Sequence, residues 1–69
     1  MEMNGMLWFD NDKKRTLAEK IKRAADYFDK KYGRVPNVCF VNQKVVEVVD
    51  LPGIKVRPSG IILPNHLLV

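Results

Sequence analysis

Between Thr16 and Tyr32, apolar side chains recur at Leu17, Ile21, Ala24, Ala25, Phe28 and Tyr32, and charged residues fill most of the positions between. The steps of four, three, one, three and four trace a single stripe on an α-helix, wide enough to cover a sheet. The ends carry their own signals. Thr16-Leu17-Ala18-Glu19 has the spacing of a capping box, and Asp10-Asn11-Asp12 offers an earlier cap. Lys30 and Lys31 suit the negative C-terminal pole, Gly33 suits a left-handed cap, and Pro36 forbids continuation.

Outside the helix the apolar runs are short and strand-like. Met6-Leu7-Trp8-Phe9 predicts a first strand and Val38-Cys39-Phe40-Val41 a second. Lys44 to Val49, rich in valine, predicts another after a weak Asn42-Gln43 turn. Leu51-Pro52-Gly53-Ile54 has the residues of a type II turn. Ile54-Lys55-Val56-Arg57 then alternates apolar and basic, as a half-buried strand does. Pro58-Ser59-Gly60 predicts a turn, Ile61-Ile62-Leu63 a short run, Pro64-Asn65 another turn, and His66-Leu67-Leu68-Val69 a last strand. The expected fold is a single two-layer α+β domain. One amphipathic helix packs on a small, mostly antiparallel sheet of three to five strands, in the order β-α-β-β-β with room for one more. Residues 1–5 are expected to be a disordered leader and 6–69 the domain.

Size and charge narrow this little. Sixty-nine residues sit near the limit for one unstapled core. A single Cys forms no internal disulfide, and one Cys with one His does not complete a four-ligand zinc site. No structural metal or cofactor is implied. No apolar run reaches the roughly 18 residues of a membrane helix, and the N-terminus lacks signal-peptide character. A cytoplasmic location follows as the expectation. The net charge is +4, and residues 1–34 hold nine Lys/Arg against six Asp/Glu, so most of the charge lies on the helix and its approach.

Four constellations could carry function. Lys20, Arg23, Tyr27 and Lys31 line one flank of the helix stripe, and a basic row with an aromatic suits phosphate contact and base stacking. The better reading of the same row is a solvated helix face, with Glu19–Arg23 and Asp26–Lys30 as i, i+4 pairs, because basic rows are common on surface helices. Trp8 and Phe9 either seal one end of the core or anchor a partner. The apolar Leu67, Leu68 and Val69 either form an interior strand or pair across an edge with a second copy. Lys55 and Arg57 share the exposed face of their strand. They would extend a basic surface if that face turned toward the helix flank, but the apolar residues of the same strand must meet the helix. The better reading is charge that discourages edge aggregation. Cys39 and His66 are the candidates for nucleophilic chemistry, but Cys39 lies within an apolar run and no third orienting group stands out. No enzyme is expected.

Met6-Leu7-Trp8-Phe9-Asp10-Asn11, the run Lys31 to Val41, Gly53 to Ser59 and Leu63-Pro64-Asn65-His66 together resemble a group of short bacterial proteins. The resemblance spans most of the chain and implies no activity. The first expectation is therefore a non-catalytic interaction module that binds a protein partner or itself. The alternative is nucleic-acid backbone binding through the helix flank. Neither a membrane nor a small-molecule cofactor is expected as a partner.

Overall fold

A computed structural model of the chain describes residues 5–45 and 47–69. The expected leader therefore falls, for residues 1–4, outside the described residues.

The helix, α1 (Leu17–Tyr32), starts where the capping box places it rather than at the Asp10 cluster. Thr16 is extended, its hydroxyl accepts from Glu19 N at 3.2 Å, and the same hydroxyl lies 3.3 Å from Glu19 Oε1. At the other end Gly33 takes φ +72° and donates its N–H to Asp29 O at 2.7 Å. A side chain at that φ would be strained, so glycine stops the helix there. The stripe behaves as its period requires: Leu17, Ile21, Ala24, Ala25 and Phe28 are buried.

Four strands make the other layer: β1 (Leu7–Phe9), β2 (Val38–Asn42), β3 (Lys55–Ser59) and β4 (His66–Leu68). Their order across the sheet is β1-β4-β2-β3. The pairs β1–β4 and β2–β4 are antiparallel and β2–β3 is parallel, so the sheet is mixed with two antiparallel pairings of three. The last strand to be made thus sits in the interior, between β1 and β2. Cys39 and Val41 of β2 and Leu67 of β4 face the helix and complete the core with Ile21, Ala24, Phe28 and Val69. Each large apolar side chain so buried contributes about 1.5–3 kcal/mol.

One expected strand is absent among the described residues. Lys44 to Val49 forms no ladder, and Val46 within it lies outside the described residues. Because β2 and β3 run parallel, the chain must return to the starting end of the sheet before β3 begins, which takes about a dozen residues. The described residues of this stretch, 43–45 and 47–54, make that return on the helix side. Val45, Val49, Leu51 and Ile54 pack against the core, while Val48 is 97% exposed. Valine content reported burial here, not pairing. The carboxylate of Glu47 accepts from Leu17 N at 3.1 Å, setting negative charge on the positive pole of the helix.

The short apolar run Ile61-Ile62-Leu63 is a turn. Ile62 is buried, and its carbonyl accepts from Asn42 Nδ2, while Ile61 and Leu63 are exposed. Pro58 and Ser59, expected in the preceding turn, belong to β3, and the turn begins at Gly60. The turn at Pro64-Asn65 forms, with Asn65 at φ +64°.

Candidate functional site

Among the described residues, helix and return segment cover the same face of the sheet, so the opposite face carries no second layer. The alternation of each strand decides what that open face shows. Trp8, Cys39, Val41, Val56 and Leu67 point to the core. Leu7 and Phe9, Val38 and Phe40, Lys55 and Arg57, His66 and Leu68 point the other way. The register sets Leu7 beside Leu68, Leu68 beside Phe40, and Phe40 beside Arg57, forming one row across all four strands. A second row pairs Phe9 with His66, their ring centroids 4.9 Å apart. The Nδ1–H of His66 donates to Pro64 O at 2.9 Å, which fixes the ring.

The edges of the sheet are β1 and β3. In β1, Met6 exchanges both backbone hydrogen bonds with Val69, at 2.9 and 3.0 Å, and Asp10 N donates to Asn65 O. An antiparallel ladder alternates, so the even residues bond inward while the N–H and C=O of Leu7 and Phe9 point out of the edge. Their side chains are 63% and 57% exposed. In β3, Lys55 N donates inward to Asn37 O, which turns the backbone of Val56 and Pro58 outward. Pro58 has no N–H to offer there, and exposed Lys55 and Arg57 flank it.

The chain between β1 and α1 holds the free edge in position. Asp10 is buried, accepts from Asp12 N at 2.9 Å, and meets Arg15 at 3.2 Å. The backbone hydrogen bond from Asp12, then the Arg15 guanidinium, holds its carboxyl below the usual carboxylate range, outweighing the opposing effect of burial.

The helix-flank residues are dispersed by their neighbours. Tyr27 packs its ring on Trp8 at 5.4 Å, and Lys31 lies over the Tyr32 ring at 5.5 Å. Arg23 and Tyr27 line a shallow cleft with Trp8, Lys30 and Asp26, so an acid shares that surface. Lys20 instead borders a small polar cleft with Asp10, Asn42, Glu47 and His66. The polar groups there are committed to the fold: Asp10 to Arg15, Glu47 to Leu17 N, and Asn42 to Ile62 O and Lys44 N.

Of the aromatic pair, Trp8 faces the core, its buried indole N–H without a partner among the described residues, and Phe9 stands on the open face. Leu67 and Val69 are core residues, whereas Leu68 shows partly on the open face. Cys39 is fully buried on the helix side, and burial pushes its thiol up to about 12. His66 lies on the opposite face, so thiol and imidazole do not meet. Among the described residues no group of three or more His, Cys, Asp or Glu is placed to hold a metal, and no helix is long and apolar enough to cross a membrane. Leu7, Phe40 and His66 were not marked as surface residues by their sequence context. Only the two-residue period of their strands, once paired, places them together.

No protein-family model, no curated protein and no solved structure matches this chain.

Proposed function

We propose that the protein is a small interaction module that works by strand pairing at its β1 edge, with a second copy of itself as the first partner. The observation that supports this is the pair of outward-facing backbone units at Leu7 and Phe9, flanked, among the described residues, by exposed apolar side chains and no exposed charge. An unguarded apolar edge is a template for another strand. A two-fold axis at Trp8 would set Leu7 opposite Phe9 of the second copy and Phe9 opposite its Leu7. Four backbone hydrogen bonds would then close, and both sheets would join into one. Self-association also suits a domain of this size, whose own core is small.

Sedimentation equilibrium over a concentration series tests this. The chain is expected to move from monomer to dimer with rising concentration. Leu7→Pro removes an N–H that makes no bond in the monomer, so the fold should persist while two of the four intermolecular bonds are lost. At about 1 kcal/mol each, dimerisation should weaken roughly thirtyfold. A monomer at every concentration, or a dimer indifferent to Leu7→Pro, sinks the reading.

A further inference from the structure

We infer that the open face of the sheet binds single-stranded nucleic acid, stacking bases on Phe40 and on the Phe9–His66 pair while Lys55 and Arg57 hold phosphates. This goes beyond the edge reading and does not need it, because the face exists in one copy.

Three observations converge on this occupant. First, the face combines rings and cations in adjoining positions. Arg57 lies beside Phe40 in register, Lys55 shares its strand face, and Phe9 with His66 forms a second aromatic group two strands away. Base stacking on such rings is tolerant of sequence because every base has a π-face. Second, none of the four strands contains an acidic residue, and the ion pairs among the described residues belong to Arg15. Lys55 and Arg57 are exposed, and Arg34 stands at the border of the face, in a cleft that Phe40 and Leu68 also line. Asp50 lines a cleft with Lys55 and Arg57 at the start of β3, so one carboxylate stands against three cations at this face, an excess of positive charge that favours an anion. Third, the spacing selects a splayed strand. Phe40 and Phe9 are two strands apart and two residues apart along them, so about 12 Å separates them. Phe9 is 57% exposed and Phe40 partly buried, and bases stacked in a duplex, about 3.4 Å apart, hide their faces, so only an unpaired chain could reach both rings.

The competing occupants fit less well. A second copy laid face to face would bring Lys55 and Arg57 against a surface whose bordering carboxylate, Asp50, already shares a cleft with Lys55 and Arg57 of its own chain. An acidic peptide would meet the cations but leave the rings without partners. The helix flank offers Tyr27, 51% exposed and packed on Trp8, with Asp26 among its cations, so it has one ring where the open face has two aromatic groups.

Fluorescence anisotropy with a labelled short oligothymidylate, across a salt series, tests the proposal on the full chain. Binding is expected at low salt and should weaken as salt rises. The Lys55→Gln/Arg57→Gln pair should make the log–log salt slope shallower by about 1.4, as loss of two single-strand phosphate contacts requires. Phe40→Ala should weaken binding about tenfold and leave the slope alone. Circular dichroism on each variant confirms that it folds, and Lys20→Gln/Arg23→Gln on the helix should change nothing.

Absence of binding at low salt overturns the proposal, as does equal affinity for a duplex of the same length. Loss of binding in the helix variant rather than the strand variant moves the site to the flank and overturns it too. A dimer that dissociates in the Lys55→Gln/Arg57→Gln variant would make a second copy the occupant of the face. Leu7→Pro, in the same assay, separates the two readings: it should lower the sedimenting mass without abolishing oligonucleotide binding.

Discussion

The two edges of this sheet face the same solvent, yet they are built to opposite rules. At β3 the outward backbone belongs to Val56 and to Pro58, which has no N–H, and Lys55 and Arg57 ring the strand with charge. At β1 the outward backbone belongs to Leu7 and Phe9, which keep both N–H and C=O and add exposed apolar side chains. Guarding an edge needs only one proline and a pair of cations. That one edge has them and the other lacks them separates protection from availability within a single small sheet, and it points recognition toward β1.

The largest test of that contrast transfers the guard. Leu7→Lys with Phe9→Lys should give β1 the charge pattern of β3 and place like charges opposite one another across the two-fold. Dimerisation should then weaken by about 3 kcal/mol, roughly a hundredfold, with the monomer still folded. Sedimentation with circular dichroism reads both. A double variant that still dimerises would locate the contact elsewhere.

A change remote from both edges should separate fold stability from association. Gly33→Ala puts a side chain at φ +72° and should cost about 1 kcal/mol, a fall of several degrees in Tm for a domain this size. The dimer constant at a temperature where the chain is folded should not move. Smaller again is the reverse experiment at β3. Pro58→Thr restores an outward N–H and should gain about 0.5 kcal/mol of pairing there. Light scattering would show this as slow growth beyond two copies, since each chain then has two usable edges.

The smallest effect concerns what anchors β1. Asp10 has a depressed pKa in the folded chain, so its stabilisation is present above the unfolded carboxylate value and is lost as pH falls through the lower folded value. The Asp10→Asn variant should therefore melt below the native chain at neutral pH, and the two Tm curves should converge once the pH drops below about 4. A constant gap down to acid would mean that the carboxylate's charge is not what holds the β1–α1 connection.

The helix was legible in the sequence from end to end because every signal for it is local. The hydroxyl of Thr16, the Glu19 three residues on, the stripe from Leu17 to Phe28 and the freedom of Gly33 all act within one or two turns. The existence of β1, β2, β3 and β4 was likewise carried by short apolar runs, and the alternation of Lys55, Val56 and Arg57 already marked a strand with one charged face. Phe9 could be named from the sequence as a candidate contact residue, but not its exposed place at a sheet edge beside His66. Whether Lys44 to Val49 pairs or merely crosses over depends on β3 running parallel to β2, a choice made between residues far apart in the chain. The insertion of β4 between β1 and β2 is of the same kind. It puts Leu67 and Val69 in the core, and it turns β1 into an edge with Leu7 and Phe9 unpaired. It also aligns Leu7, Leu68, Phe40 and Arg57 in one row. Amino-acid type fixes which segments can be helix or strand through local sterics and burial. Strand order is decided by how the whole sheet covers one helix, and in this protein the candidate site exists only once that order is set.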